Sequence, residues 1–221
     1  MLTISCSQMK AMDSYAINNI GIPSIVLMEN AALKVLKNID LKNKNYFTIV
    51  CGVGNNGGDG LALARHLALI NKKIDLFIIG NLDKGTKDFN INLNILKNMD
   101  TNFTHIKNDG GLEKLKEAAK NGDLTIDSIF GIGLTRKVQD LFYKTIEIIN
   151  YYSKEILSID IPSGLDGDTG VPLGISVKAN KTITFHLMKK GLANNIYYTG
   201  DVVVEDIGIP NKATEAVLKM D

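Results

Sequence analysis

VCGVGNNGGDGLALARHL, residues 50–67, decides how this chain is read. A short apolar, β-rich run ends in glycines and passes straight into a helical pattern. Within it, Gly52-Val-Gly54-Asn-Asn-Gly57 satisfies G-x-G-x-x-G between a strand and a helix, the setting in which backbone N–H groups can approach a phosphate at a helix N-terminus. The same glycines also suit a turn that serves backbone geometry alone. Outward from this stretch the pattern repeats. Apolar runs at 46–54, 73–80, 124–131 and 155–164, with a weaker one at 102–106, alternate with helical segments at 58–71, 84–99, 111–122 and 138–153. Near-continuous apolar strands alternating with helices predict a parallel sheet buried on both faces. Right-handed crossovers then make it a doubly wound, three-layer α/β fold. KTITFHL (181–187) and DVVVEDIGI (201–209) read as two closing strands.

Two helices precede the first strong strand. SQMKAMDSYAINNI (7–20) offers Ser7 as an N-cap, and SIVLMENAALKVLKNI (24–39) follows Gly21 and Pro23. Met9, Met12 and Met28 read as core. The 221 residues fit one domain spanning 1–221. A formal charge of +1 removes the strongest electrostatic argument for nucleic-acid binding and leaves only a local basic patch to support it. Two lone cysteines, Cys6 and Cys51, make no zinc spacing or disulfide framework and suit a reducing compartment. No apolar run approaches a membrane span, and no secretory signal is visible, so a cytoplasmic location is expected.

In an open parallel sheet, ligands bind where loops meet at the carboxyl ends of strands. Asp127 and Asp160 sit in or near such ends, and a buried carboxylate needs pairing, hydrogen bonds or a cation. Asn56, Asp127 and Ser163 offer only oxygen ligands, which suits a hard cation, and their single charge favours a monovalent one. Gly131, Gly133, Arg136 and Lys137 form either a phosphate clamp or a mobile surface loop. Lys189 and Lys190 read as a solvated pair, and His66 as a packing residue. The strand ending Ile78-Ile79-Gly80-Asn81 carries no acid for an adenosine ribose, which weakens a conventional NAD-dependent dehydrogenase. No P-loop, nucleophile elbow or zinc-protease motif occurs.

MENAA (28–32), residues 50–67, DSIFGIGLTR (127–136), SIDIPSGLDGDTG (158–170) and VEDIGIP (204–210) together resemble the NAD(P)H-hydrate epimerases, the YjeF N-terminal domain family. The resemblance implies a three-layer αβα Rossmann-like sandwich with a mostly parallel sheet and an N-terminal helical extension. It implies interconversion of the R and S forms of hydrated NADH and NADPH (NADHX and NADPHX), a repair step feeding an ADP/ATP-dependent, S-specific dehydratase that is a separate or fused partner. A homodimer is expected, with no nucleic-acid or membrane partner. Matched to the family's motifs, Asn55, Asn56, Gly57, Gly58 and Asp59 bind substrate. Gly131, Ile132, Gly133, Leu134, Thr135, Arg136 and Lys137 form a second binding segment, at the phosphates. Asp160 is the acidic residue at the substrate, and Asn56, Asp127 and Ser163 hold potassium. FHLMKKGL (185–192) departs from the family's F-G-A-P-K-P-G-L, keeping Lys189 but neither proline.

The hydroxyl-bearing carbon is attached to the ring nitrogen, so it is a hemiaminal. It inverts either by losing hydroxide and regaining water on the other face or by ring opening and reclosure. Both need proton transfer, for which Asp160 is the general acid/base expected; the alternative is that it only hydrogen-bonds substrate hydroxyls. Asp160→Asn is expected to abolish catalysis and leave the fold intact. A different class of function on the same fold is a non-catalytic ligand-binding or dimerisation scaffold, favoured where these site residues are lost.

Overall fold

Ser5, not Ser7, opens the first helix. Its side chain accepts from the Gln8 amide, and the Gln8 side chain accepts from Ser5 N at 2.9 Å, a capping box. Ser7 lies inside the helix, one residue past Cys6. The structure is a computed structural model that describes residues 2–219. Met1, Met220 and Asp221, the ends of the expected 1–221 domain, lie outside the described residues.

The chain starts with β1 (Thr3–Ile4) and α1 (Cys6–Tyr15), which runs into a π-helical turn over Ala16–Ile20 and stops at Gly21, φ 87°. α2 (Ser24–Lys37) follows Pro23. The alternating core comprises β2 (Tyr46–Cys51), α3 (Asn55–Leu69), β3 (Lys73–Ile79), α4 (Lys87–Asn98), β4 (Thr104–Ile106), α5 (Asp109–Asn121), β5 (Leu124–Ser128), α6 (Asp140–Tyr152), β6 (Ile156–Ile159) and β7 (Lys181–Phe185). The two closing strands expected are not the whole of the C-terminal region. β8 (Met188–Lys189) and the short α7 (Ile196–Thr199) separate β7 from β9 (Asp201–Glu205), and α8 (Asn211–Leu218) comes after it.

Seven strands form one sheet in the order β4-β3-β2-β5-β6-β7-β9, every neighbouring pair parallel. The chain winds outward from β2 through β3 to β4. It then returns through α5 to β5 and winds outward the other way, so the order reverses between β2 and β5. Alternate residues of β2 serve opposite faces, as a two-residue period requires. Phe47, Ile49 and Cys51 pack with Leu63 and Leu67 of α3, Phe89 and Leu93 of α4 and Met12 of α1. Val50 joins Leu112 and Leu115 of α5 and Ile146 of α6 on the other face. Met9, Met12 and Met28 are buried, as expected. The three-layer α/β sandwich with N-terminal helices is therefore as read from the sequence.

β1 and β8 pair in parallel as a second, two-stranded sheet, Thr3 against Met188 and Ile4 against Lys189. The DGDTG part of the 158–170 motif anchors the same corner. Asp166 accepts from the amides of Asp168 and Thr169, while Asp168 accepts from Cys6 N at 2.6 Å, at the start of α1. The amino end of the chain is thereby fastened to residues near 168 and 188. Among the described residues no helix is long and apolar enough to cross a membrane.

Candidate functional site

The reversal of strand order between β2 and β5 leaves a crevice at their carboxyl ends, where open α/β sheets bind ligands. Backbone approach here is too close for side chains. A Cβ on Gly52 would lie 2.1 Å from Ile129 O, and one on Gly57 would lie 1.8 Å from Gly52 O. The glycines of the 52–57 stretch thus serve backbone geometry whatever else they do. Residues 55–60 belong to α3 rather than to a loop. Gly54 is the N-cap and supplies no side chain, so the first-turn N–H groups remain available to an anion.

Around this point the crevice opens into a cleft of about 1060 Å³, just above the usual size of small-molecule and cofactor sites. Asn55, Asn56 and Asp59 line it, as do Gly131 to Arg136 and Asp160. Gly57 and Gly58 lie behind this wall: a Cβ on Gly58 would meet the Met28 thioether at 2.6–2.7 Å. Lys137 follows Arg136 on the exposed loop and is not among the cavity residues. The sequence reading missed several further walls. α1 contributes Lys10 and Asp13, and the segment after β3 contributes Lys84 and Asp88.

Asp160 occupies the first position past β6 with φ 65°, a left-handed conformation that aspartate tolerates better than most side chains. Its Oδ1 accepts from Lys189 Nζ at 2.8 Å and from Thr184 Oγ1 at 3.3 Å, and its Oδ2 takes a long contact from Ile132 N at 3.4 Å. Lys189 is not a solvated residue. It is 1% exposed, and its ammonium donates to Asp160, to Thr184 Oγ1 at 2.9 Å and to Phe185 O at 2.8 Å. The parallel pairing of β8 with β1 turns Lys189 inward and leaves Lys190 exposed.

Asp127 is fully buried in β5. Its carboxylate accepts from Ser163 Oγ at 2.5 Å, Ser163 N at 2.8 Å and Ser158 Oγ at 2.7 Å, and burial raises its pKa despite these bonds. Asn56, only 8% exposed, has no hydrogen-bond partner on either side-chain atom. A buried amide left open on both sides is uncommon in folded proteins. A Cβ on Gly131 would lie 3.0 Å from Asp160 Oδ2 and 3.4 Å from Asn56 Cγ, so these two side chains face one small space. An open amide oxygen is chemically suited to a hard monovalent cation, but Asp127 and Ser163 are fully buried, bonded to each other, and do not line the cavity that Asn56 lines. Among the described residues no group of three or more His, Cys, Asp or Glu could hold a metal.

The carboxyls of the cavity are unevenly balanced. Burial pushes Asp59 well above the usual carboxylate range, with Asp160, Asp13 and Asp88 adding to it. Burial, then the charge of Asp160, pushes Asp13 up to about 6, and Lys189 pulls the other way. His66 is more than packing. Its Nε2 donates to Glu29 Oε1 at 2.8 Å, and Arg65 pairs with the same carboxylate, joining α3 to α2.

Fold and cleft together define a Rossmann-like α/β protein with a cofactor-sized, carboxylate-bearing cavity at its switch point and an added helical wall from the amino end. The family described as YjeF-related protein N-terminus matches residues 24–191. The chain belongs to that family. It is 41% identical over 218 residues to the NAD(P)H-hydrate epimerase of Anaerococcus prevotii, covering 99% of this chain and 100% of that one. The bifunctional NAD(P)H-hydrate repair enzyme Nnr of Moorella thermoacetica is 36% identical over 96% of this chain and 41% of its own length. The crystal structure of yeast YNL200c shares the fold, with a TM-score of 0.83 over 98% of this chain and 93% of that one, at 23% identity.

Proposed function

We propose that the protein interconverts the R and S epimers of NADHX and NADPHX, with Asp160 as a general acid/base at the hydroxyl-bearing carbon. The observation that carries this reading is the placement of Asp160 in a cofactor-sized cavity, at the space shared with the open amide of Asn56. Lys189 holds Oδ1, which leaves Oδ2, nearer Gly131 and Asn56, as the oxygen for proton transfer. The names of the epimerase from Anaerococcus prevotii and the repair enzyme from Moorella thermoacetica support the reaction class.

In this reading the α3 N-terminus at Asn55–Asp59 and the Gly131–Lys137 segment hold the nucleotide. Arg136, exposed on the cavity wall, and Lys137, the exposed residue next to it, meet its phosphates. Asn56, Asp127 and Ser163 hold a potassium ion, which offsets negative charge near the diphosphate. The protein works in the cytoplasm, as a homodimer, ahead of an ADP/ATP-dependent dehydratase specific for the S epimer.

The test is a coupled assay. The dehydratase first exhausts the S epimer from a mixed NADHX pool in potassium buffer. This protein is then added and recovery of NADH absorbance is followed. Recovery well above the spontaneous drift, and slower when sodium replaces potassium, is the expected result. No acceleration by the folded protein removes the epimerase reading in favour of a ligand-binding scaffold.

A further inference from the structure

Inverting one carbon by loss and return of water requires a proton donor where hydroxide leaves and a proton acceptor where water arrives. These lie on opposite faces of the ring, and one carboxyl fixed by Lys189 does not serve both. The cleft holds another carboxyl from a different wall. Asp13 on α1 lines the same cavity as Asp160 and, among the described residues, makes no hydrogen bond or ion pair with its carboxylate. Of the charged groups that line the cavity with it, Asp160 after β6, Lys189 on β8 and Asp59 on α3 act on it electrostatically, and Lys10 on its own helix, Lys84, Asp88 on α4 and Arg136 share the cavity wall. The Asn56 amide, nine-tenths buried and open at both ends, borders the same space and marks it as built to receive a ligand.

We propose that Asp13 is the second proton-transfer residue of the site, acting with Asp160 on the two faces of the hydrated nicotinamide ring; this rests on the epimerase reading above. The protonated Asp13 gives its proton to the hydroxyl as the C–O bond breaks. Water leaves, and the ring-nitrogen lone pair forms C=N⁺. A water molecule then adds to the other face, the π electrons return to nitrogen, and Asp160 takes the proton released. One water leaves, one enters, and one proton passes from Asp13 to Asp160. The opposite epimer runs the sequence in reverse, so the working form in both directions carries a single proton on the pair. The raised proton affinity of Asp13, about 6, keeps that form populated near neutral pH.

The experiment measures epimerisation of the R epimer by wild type, Asp13→Asn and Asp13→Glu between about pH 5 and 8, with thermal stabilisation by the mixed NADPHX epimers as a separate measure of binding. The expected result has three parts. Asp13→Asn loses at least about 100-fold in kcat while NADPHX still stabilises it. Asp13→Glu recovers part of the rate. Wild-type kcat/KM falls as pH rises through about 6, and that limb is missing from Asp13→Asn. An Asn variant within about threefold of wild type, or a wild-type profile without the limb, overturns the proposal even where the Asn variant fails to fold. A wild type that does not accelerate epimerisation at all overturns the epimerase reading first.

Discussion

Lys189 donates to Asp160, Thr184 and Phe185 from a position with almost no solvent contact. That arrangement changes what substitution at Asp160 does. An asparagine keeps the left-handed backbone within reach, but it leaves the ammonium buried without its counter-charge. Breaking a buried pair from one side costs roughly 3–5 kcal/mol, so Asp160→Asn is expected to lower stability as well as activity. Asp160→Asn combined with Lys189→Met removes both charges and should restore most of the lost stability without restoring activity. Urea denaturation of the two variants checks this; a double variant no more stable than Asp160→Asn alone would sink it. Composition and spacing hid the importance of Lys189, because Lys189 and Lys190 are chemically identical neighbours, and the family match at FHLMKKGL, which keeps Lys189 but loses both prolines, pointed to it only weakly. The pairing of β8 with β1 then separates the buried one from the exposed one. Asp13 was hidden for a related reason. It lies in no motif of the sequence, and it meets a cavity only after α1 has docked.

The elements with strong hydropathy signals were legible in sequence. β2, β3, β5 and β6 are apolar runs bounded by glycine or polar residues, and the helices between them are long enough to show their period. Elements of two to four residues, such as β1, β8 and α7, carry too little pattern to be read. α8 did have a signal, Pro210 just before a segment with Ala213 and Val217 four residues apart, which the strand reading of 201–209 did not reach. The start of α3 was placed three residues late because Gly57 and Gly58 are poor helix formers. Tertiary approach decides there, and the two glycines answer to different neighbours. The Cβ of Gly57→Ala would meet a backbone oxygen that cannot retreat, whereas that of Gly58→Ala would meet the flexible end of Met28. Gly57→Ala should therefore cost more than about 3 kcal/mol or fail to fold. Gly58→Ala should cost about 1 kcal/mol or less, because alanine also favours the helix. Equal thermal midpoints for the two variants would show that the β2–α3 junction is not the rigid contact described.

At the scale of the molecule, the cleft gathers carboxyls whose burial works against ionisation. Asp13 and Asp59 both hold their protons more tightly in the folded chain than in the unfolded one. The folded state thus binds more protons above about pH 4, and stability on their account is greatest below that pH. It is lost as pH rises through the folded value, about 6 for Asp13. Asp13→Asn should accordingly be more stable than wild type at about pH 8, by on the order of 2 kcal/mol, with the advantage vanishing near pH 4. Chemical denaturation at the two pH values reads this directly, and an advantage independent of pH would contradict it.

The pairing of Thr3–Ile4 with Met188–Lys189 also bears on how the chain is made. A ribosome releases residues in order, and α1 leaves the exit tunnel long before its partners do. The strand ahead of the helix bearing Asp13 has no partner until translation has passed Lys189, and Asp160 has no cation beside it until the same moment. A nascent chain can assemble β2 to β5 as they emerge, but the β1–β8 corner and the Asp160–Lys189 pair must wait until residues 188 and 189 have been made. A translational pause before residue 188 would thus hold the growing protein with its sheet forming and its carboxyl pocket open.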